Sequence, residues 1–446
     1  MKTRSQFLIG ATRSGSGKTL LTLGLLAALA RRGVNVQPFK CGPDFIDPTL
    51  HQLAAGRPSI NLDLYMMGKE CCRTSFHHYA SESEAMVVEG VMGLFDGGEA
   101  SSASLAALLD LPVLLVIDVR SAAESVAAVI KGFESFDPRV KICGVICNRI
   151  GSARHRKLIE DAVREHCESE VLGFFPRDID FEMPSRHLGL HMGHEFTGSD
   201  ARLDKLAAAV EEHIDLDRLL QFAARPVSET VLSTEPSVSQ KKRRLAVARD
   251  EAFCFYYQEN FDLFESCGFE LVEFSPLHDT SLPANLDGIY LGGGYPELYG
   301  QKLSANVEMR RAIANFATNG GFVYGECGGF MYMTRDLTDG DGEVFPMAAI
   351  FPVSVRMKPR LSRLGYRTAR IQNDCLLGRA GETVYGHEFH YSDIIARDPG
   401  LEYLYSTEDG GKEGCVSDNA LGSYIHLHLA RSRHCLLRLH EIINSN

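Results

Sequence analysis

A glycine-rich segment near the start of the chain carries residue types that bind phosphate groups. Residues 10–19 read Gly-Ala-Thr-Arg-Ser-Gly-Ser-Gly-Lys-Thr, after an apolar run at 7–9 and before an Ala/Leu-rich run at 20–30. This order predicts a strand, a phosphate-binding loop and a helix. The strict form of the loop has glycine at position 12, where this chain has threonine, so the sequence predicts a variant of it.

Five consecutive residues of this loop are the predicted contacts to a nucleotide. Gly15, Ser16 and Gly17 place backbone N–H groups around an anion at the N-terminus of the following helix. Lys18 is expected to reach the outer phosphates, and the Thr19 hydroxyl is expected to bind Mg²⁺. The alternative is a glycine-rich turn with a chance Lys-Thr pair, which the flanking strand and helix disfavour.

Three carboxylates that follow predicted strands are candidates for binding metal or substrate. Asp44 follows the second strand of a β-α-β unit, at the edge where parallel sheets bind ligands, and can bind Mg²⁺ or orient an acid substrate. Glu89 ends the apolar run 85–88 and can hold the metal or its water shell. Asp96 lies in the glycine-rich segment 91–98, which we interpret as a substrate loop. For Asp44 and Asp96 the alternative is a structural role in a turn.

Two further polar features of the first half have structural alternatives. Asn148 follows a β-rich run, and its amide offers a donor and an acceptor to an adenine edge. A helix cap or turn explains this asparagine equally well. His187, His191 and His194 have helical spacing, but interrupting glycines disfavour a helix and a metal site there.

In the second half, a cysteine stands where a catalytic nucleophile is expected. The apolar run 321–325 leads into Glu-Cys-Gly-Gly and a further apolar run, which predicts a strand, a sharp turn and a helix. Such a turn exposes the sulfur of Cys327 at a helix N-terminus, where a thiolate is stabilised. A small buried core cysteine is the alternative. Three glycines at 292–294 free backbone N–H groups that could form an oxyanion hole.

A thiolate nucleophile needs a base, and two histidines near the C-terminus are candidates. Residues 422–428 read Gly-Ser-Tyr-Ile-His-Leu-His. If this run is a strand, His426 and His428 share one face, and either can face Cys327. The polar segment 385–392 is expected to line either a shared entrance to the site or a substrate pocket. The spacing of its polar residues does not distinguish these two alternatives.

The elements that must position these residues alternate strands with helices, which predicts α/β domains with parallel sheets. Among them are a second strand from residue 34 and helices at 120–133 and 255–266. A segment rich in Pro, Ser, Thr and Glu from residue 225 marks a boundary. We therefore predict three parts, namely a domain at 1–224, a linker at 225–243 and a domain at 244–446.

Composition narrows the classes of function. The net charge of −12 argues against a general nucleic-acid binder. We expect no leader and no membrane partner, because strand-like residues begin at residue 7 and no apolar run approaches a membrane span. Twelve cysteines without a C-x-x-C pair fit reduced thiols, so a cytoplasmic protein is predicted, with a homodimer left open.

Read in order, these segments resemble the cobyrinic acid a,c-diamide synthase family along essentially the whole chain. The first half has the variant loop, Lys-Cys-Gly-Pro-Asp-Phe-Ile-Asp-Pro, Val-Glu-Gly-Val-Met-Gly-Leu-Phe-Asp-Gly and Arg-His-Leu-Gly-Leu. The second half adds Gly-Gly-Gly-Tyr-Pro-Glu-Leu-Tyr, Gly-Glu-Cys-Gly-Gly, Gly-His-Glu-Phe-His-Tyr-Ser and Gly-Ser-Tyr-Ile-His-Leu-His.

The resemblance implies a glutamine-dependent amidotransferase with two α/β domains. The N-terminal domain, a P-loop parallel-sheet domain similar to dethiobiotin synthetase, would use ATP and Mg²⁺ to convert a carboxylate into an acyl phosphate. The C-terminal domain, similar to class I glutaminases, would release ammonia from glutamine. Ammonia would then form amides at the c and a acetate side chains of a corrinoid macrocycle.

The resemblance also implies roles for single residues. Cys327 would be the nucleophile and His426 its base. Many class I glutaminases have glutamate as the third triad member at the position of His428, so the implied unit here is a Cys–His dyad. The substrate loop would include Asp96. Phosphate and metal roles are implied for four residues, namely Lys18, Thr19, Asp44 and Glu89.

Because related enzymes share these motifs, the sequence leaves the identity of the macrocyclic substrate open. Cobyric acid synthase is disfavoured, because this chain has Gly-Gly-Gly-Tyr-Pro-Glu where that enzyme is expected to have a Pro-Gly-Ser-Lys loop. Hydrogenobyrinate and nickel-sirohydrochlorin are alternative macrocycles. From a different class, a regulatory phosphate-loop switch with an inactive glutaminase domain would require Cys327 and His426 to be vestigial.

Overall fold

The computed structural model describes most of the chain, namely residues 3–179, 185–186, 189–190, 192–193, 198–226 and 242–445. The chain divides into two compact units, Met1–Ser233 and Thr234–Asn446. Most of the predicted linker lies outside the described residues, and so do His187, His191 and His194. None of the helices within the described ranges is long and apolar enough to cross a membrane.

The first unit alternates strands and helices. Its strands are β1 (Thr3–Ala11), β2 (Val36–Cys41), β3 (Ile60–Leu62), β4 (Ala85–Glu89), β5 (Val113–Asp118), β6 (Ile142–Ile150), β7 (Val171–Pro176), β8 (Ser185–Arg186), β9 (Gly189–Leu190) and β10 (Ala224–Pro226). Its helices are α1 (Lys18–Arg31), α2 (Asp47–Ala55), α3 (Gly68–Ala80), α4 (Ser102–Leu109), α5 (Ser125–Phe136), α6 (Ala153–His166), α7 (Ser199–His213) and α8 (Leu216–Phe222).

One parallel sheet organises this unit. Its described strands follow the order β3-β2-β4-β1-β5-β6-β7, and β10 pairs antiparallel with β1. Helix α1 packs against one face beside α7, and a Cβ at Gly24 would lie 2.6 Å from Cγ2 of Val210. Because parallel strands end at one edge, the residues after β1, β2, β4 and β6 meet there. This edge carries the phosphate loop.

The second unit has more and shorter strands. They are β11 (Arg243–Ala248), β12 (Phe269–Phe274), β13 (Gly288–Leu291), β14 (Phe322–Glu326), β15 (Thr334–Thr338), β16 (Val344–Pro346), β17 (Phe351–Met357), β18 (Arg363–Ile371), β19 (Thr383–His390), β20 (Ser392–Arg397), β21 (Tyr405–Thr407), β22 (Lys412–Glu413), β23 (Cys415–Ser417), β24 (Ala420–Ser423) and β25 (His426–Leu427). The helices are α9 (Gln258–Ser266), α10 (Gly300–Ala305), α11 (Val307–Thr318), α12 (Gly328–Met333) and α13 (Arg433–Ser445).

A six-stranded sheet separates two apolar cores in this unit. Its order is β12-β11-β13-β14-β24-β23, with only β23 antiparallel to its neighbour among the described strands. Alternate residues face opposite sides, so Ile289 and Val323 enter one core while Tyr290 and Tyr324 enter the other. Two smaller sheets have the orders β16-β15-β17-β20 and β22-β21-β18-β19-β25.

The predicted α/β fold class is confirmed, and three element boundaries differ from the prediction. The second strand begins at Val36 rather than at residue 34. The helix expected from residue 120 begins at Ser125, because the Asp118 carboxylate accepts the Arg120 backbone N–H and holds a turn. The helix expected from residue 255 begins at Gln258, because Phe255 N–H donates instead to the Gly293 carbonyl.

Candidate active sites

The phosphate loop of the first unit has the predicted strand–loop–helix geometry. Gly15 and Gly17 have φ values of 77° and 98°, in the left-handed region that favours glycine. Ser16 is buried, and its hydroxyl donates to the Arg13 carbonyl at 2.9 Å. Lys18 opens helix α1, and its ammonium donates to the Met92 carbonyl.

Glu89 connects the loop to a buried cluster of polar side chains. The Thr19 hydroxyl donates to Oε1 of Glu89 at 2.7 Å, and His51 Nε2 lies 2.6 Å from Oε2. Lys40 Nζ lies 3.3 Å from the Glu89 carboxylate and 2.5 Å from Oδ2 of Asp47. Burial raises the pKa of Glu89, but the Lys40 ammonium, followed by His51 and Thr19, holds it well below its usual range. Glu89 is therefore an ionised oxygen donor beside the loop threonine.

Three members of this cluster were not predicted as site residues, namely Lys40, Asp47 and His51. Lys40 and Asp47 belong to the string Lys-Cys-Gly-Pro-Asp-Phe-Ile-Asp-Pro that supported the family resemblance. His51 lies four residues after Asp47 on helix α2, so both side chains emerge on one helix face. A charged residue inside an apolar strand, as Lys40 is in β2, was the available signal.

Asp44 and Asp96 have the turn contacts that were their structural alternatives. Oδ1 of Asp44 accepts the backbone N–H groups of Ile46 and Asp47, at 2.8 and 3.0 Å. Oδ2 of Asp96 accepts the Gly93 N–H at 3.0 Å. These bonds shape the two loops, and in each carboxylate the other oxygen accepts no hydrogen bond from the residues that the structure describes.

Asn148 packs directly against the phosphate loop. Its amide nitrogen donates to the Ser16 carbonyl at 2.7 Å, and the side chain is buried. A Cβ at Gly17 would lie 2.2 Å from this nitrogen, so the close approach requires glycine. One donor of the predicted adenine-reading amide is thus engaged with the loop backbone.

In the second unit, Cys327 lies at the predicted sharp turn between strand β14 and helix α12. Its φ and ψ angles are 48° and −101°, a strained combination for a residue with a side chain. The Cys327 N–H donates to the Ser423 carbonyl at 2.7 Å, which ties the turn to strand β24. The thiol itself lies 3.9 Å from the Phe389 carbonyl, so this part of the segment 385–392 is next to the cysteine.

Glycines surround the cysteine turn. A Cβ at Gly328 would lie 2.9 Å from the Gly294 nitrogen, so the two backbones are adjacent. The Gly292 N–H donates to the Tyr256 hydroxyl at 2.9 Å, and the Gly293 N–H donates to the Phe255 carbonyl at 3.3 Å. By contrast, the N–H groups of Gly294 and Gly328 donate to no acceptor among the described residues. Of the three predicted glycines, Gly294 therefore has the N–H that remains available to an oxyanion.

His426 is the histidine that faces Cys327. A Cβ at Gly293 would lie 2.3 Å from His426 Cε1, so the imidazole packs on the glycine loop. Burial lowers the pKa of His426, but the charge of Cys327 and hydrogen bonding to it, followed by Glu326, raise it to about 10. The raised pKa favours the protonated imidazole, which is the form that a base reaches after it takes a proton from a nucleophile.

His428 points elsewhere, so the expectation that either histidine can face the cysteine is resolved in favour of His426. Strand β25 ends at Leu427, and beyond it side chains need not alternate. His428 Nε2 lies 3.7 Å from Oε2 of Glu259, and its ring centroid lies 5.0 Å from that of Tyr257. Burial lowers the pKa of His428 to about 3.

Comparisons with known proteins agree with the two-unit arrangement. Residues 7–190 match a family described as the CobQ/CobB/MinD/ParA nucleotide binding domain. Residues 244–434 match the CobB/CobQ-like glutamine amidotransferase domain. The solved structure of PurLQS from Thermotoga maritima matches 45% of this chain and 99% of its own, with 14% identity and a TM-score of 0.35.

Curated relatives that match almost the whole chain include two enzymes of the same name. The cobyrinate a,c-diamide synthase of Caldanaerobacter subterraneus subsp. tengcongensis is 40% identical over 432 residues, which is 95% of both chains. The enzyme of the same name from Syntrophotalea carbinolica is 42% identical over 438 residues, again 95% of both. These similarities confirm the resemblance seen in the sequence strings, and the chain belongs to the cobyrinate a,c-diamide synthase family of glutamine amidotransferases.

Proposed function

We propose that this protein uses ATP and glutamine to amidate the a and c acetate carboxylates of cobyrinate in cobalamin biosynthesis. The observation that carries the proposal is Cys327, at a strained strand-to-helix turn with His426 against it, in a chain that also has a phosphate loop. The names of its relatives supply the substrate.

The second unit would release ammonia from glutamine. The Cys327 thiolate attacks the side-chain amide carbon, and the oxyanion that forms accepts hydrogen bonds from backbone N–H groups. Gly294 and Gly328, whose backbones are adjacent at the cysteine turn, offer such groups. His426 gives its proton to the departing nitrogen, and water then hydrolyses the thioester to glutamate.

The first unit would activate the acetate carboxylates. The backbone N–H groups of the loop at 15–17 and the Lys18 ammonium would bind ATP phosphates. An acetate carboxylate of the macrocycle attacks the terminal phosphorus, ADP leaves, and ammonia displaces phosphate from the resulting acyl phosphate to form the amide. Asn148 would contact the nucleotide, and Asp44 and Asp96 would position substrate at the same sheet edge.

The residues beside Thr19 fit a magnesium ion. A hydroxyl and an ionised carboxylate in contact are the hard oxygen donors that Mg²⁺ prefers. Thr19 and Glu89 would hold it, with Asp44 as a further candidate. When bound, the ion neutralises phosphate charge.

We further propose domain limits of 1–224 and 244–446, joined by a linker at 225–243, and a cytoplasmic location. The division of contacts between residues 233 and 234, which falls inside that linker, supports the limits. Twelve free cysteines are consistent with a reducing compartment.

The test is mass spectrometry of products from ATP, Mg²⁺ and glutamine with cobyrinate, hydrogenobyrinate and nickel-sirohydrochlorin in parallel. We expect two amide additions on cobyrinate. Preferential diamidation of either other macrocycle would keep the reaction and replace the substrate. Folded protein that hydrolyses ATP but amidates none of them would favour the regulatory switch.

A further inference from the structure

A buried carboxylate lies beside the catalytic histidine, and it comes from the residue directly before the nucleophile. Oε2 of Glu326 is 3.7 Å from Nδ1 of His426, and both side chains are 2–3% exposed. This separation is that of an ion pair, and catalytic hydrogen bonds commonly shorten when substrate binds. The Nδ1 side of the imidazole thus meets a carboxylate, as in a nucleophile–histidine–acid triad.

The carboxylate is fixed in place by three hydrogen bonds. The Tyr324 hydroxyl donates to Oε1 at 2.7 Å, the Leu427 N–H donates to Oε1 at 3.1 Å, and the Tyr290 hydroxyl donates to Oε2 at 3.0 Å. The two tyrosines occupy paired positions on β13 and β14, and their rings stack with centroids 5.5 Å apart. These donors offset the desolvation of a buried charge and restrict its rotation.

No carboxylate is available at the position where many class I glutaminases have one. That position is His428, which is buried against Glu259 and Tyr257 and has a pKa lowered to about 3 by burial. A neutral imidazole directed away from His426 cannot stabilise an imidazolium there. An acid that contacts His426 must therefore come from another element, and β14 supplies one.

We propose that Glu326 is the positioning acid of a Cys327–His426–Glu326 triad, contributed by the nucleophile strand rather than by the strand of the histidine. This inference rests on the proposed glutaminase function. Glu326 would hold the Nδ1–H tautomer of His426, which directs Nε2 toward the sulfur, and would stabilise the imidazolium that forms when the thiol loses its proton.

The titratable groups that affect His426 come from strand β14, from the turn after it and from strand β19. Cys327 and Glu326 raise its pKa. On the neighbouring strand β19, His387 pairs with His426, and burial, followed by the charge of His426, lowers the His387 pKa to about 4. His387 is thus uncharged near neutral pH, and Glu326 is the negative side chain that opposes the imidazolium on its Nδ1 side.

The test is glutamate release by the full-length E326Q variant as a function of pH, with ammonia-driven amidation measured in parallel. We expect kcat/KM for glutamine to fall about 100-fold or more, since amide replacement of a triad acid removes the tautomer control. The alkaline limb of the residual activity should shift to lower pH, because the imidazolium has lost its counter-charge. The rate of ammonia-driven amidation by E326Q should remain within about twofold of the wild-type rate.

The matched control is E259Q, which removes a buried carboxylate also 3.7 Å from a histidine, but from His428. The kcat/KM of E259Q for glutamine should remain within about threefold of the wild-type value. Equal losses in E326Q and E259Q, or an unshifted pH profile in E326Q, would overturn the proposal. If E326Q does not fold, the E326D variant tests the proposal instead. Its shorter carboxylate should lower kcat/KM for glutamine about tenfold, and an unchanged value would overturn the triad.

A second measurement separates this inference from the proposed function. Alkylation of Cys327 by iodoacetamide, followed by peptide mass spectrometry at pH 7, needs no amidation substrate. The wild type should react at least about tenfold faster than E326Q, because the thiolate form depends on the imidazolium. A wild type that alkylates in this way but releases no glutamate would contradict the proposed function alone. Equal alkylation rates would contradict the triad alone.

Discussion

The ammonium of Lys40 lies 3.3 Å from the Glu89 carboxylate beneath the phosphate loop, and Asp47 contacts the same ammonium from helix α2. All three side chains are less than 10% exposed. Burial lowers the pKa of Lys40, but Asp47 and Glu89 outweigh it and raise the pKa above its ordinary value. This ammonium links two buried carboxylates, one on helix α2 and one on strand β4.

Replacing Lys40 with methionine should destabilise the first unit strongly. It leaves Asp47 and Glu89 buried without their cation, and breaking a buried ion pair costs about 3–5 kcal/mol. Urea denaturation followed by circular dichroism measures the loss. The control K157M removes an exposed pair with Asp161, and it should cost less than about 0.5 kcal/mol. Similar losses in both variants would show that Lys40 does not stabilise the cluster.

Lys18→Ala should stop amidation from either nitrogen source, because the first unit would lose its ammonium contact to the ATP phosphates. Glutamate release by the second unit should continue. The measurement is amide formation from glutamine and, separately, from ammonium chloride. Product formed from ammonia at the wild-type rate would remove Lys18 from the ATP site. K157M serves again as a surface control.

Cys327→Ala should abolish the use of glutamine and spare amidation driven by ammonia. The variant lacks the nucleophile of the second unit and keeps every candidate ATP contact of the first. C267A is a matched control, because Cys267 is also buried but packs in the core on the Tyr290 side of the sheet. If both activities disappear together in C327A, the division of labour between the units is wrong.

His428 should make the protein sensitive to acid. The native pKa is about 3, below the unfolded value of about 6.5. Below pH 6.5 the histidine is therefore protonated in the unfolded chain but not in the native protein. The free energy of unfolding consequently falls as the pH drops toward 3. At pH 5 the loss from this group is about 2 kcal/mol.

Denaturation midpoints of wild type and H428N at pH 8, 6.5 and 5 test this expectation. Asparagine keeps an acceptor for the Ala430 N–H, which His428 Nδ1 accepts at 3.4 Å. The variant should lose less stability between pH 6.5 and 5 than the wild type does. A parallel pH dependence in both proteins would contradict the prediction, and H166N provides an exposed-histidine control.

Local sequence patterns predicted the parts of the site that lie within a few residues of one another. The phosphate loop of residues 10–19 and the turn at Cys327 each need a strand, glycines and a helix in immediate succession. Backbone sterics and hydrogen-bond periodicity act over that distance, so the order of residue types was sufficient. The same strings identified the family, which the relatives confirm.

Contacts between distant segments were decided only by the tertiary structure. His426 faces Cys327 and His428 does not, because β25 ends at Leu427 and pairs with β19 in one register. Glu326 meets His426 from a hundred positions away in the chain. The contact depends on strand order and on which sheet face each side chain takes, and neither is encoded in local spacing.

The same distinction holds in the first unit. The sequence determined that Glu89 ends a strand and that Thr19 follows a loop, whereas the parallel order β2-β4-β1 placed Lys40 beside Glu89 and the loop above both. Residue types and local spacing fix which groups can react. Burial and strand pairing, which sum contributions from the whole domain, decide which of those groups meet and in what charge state.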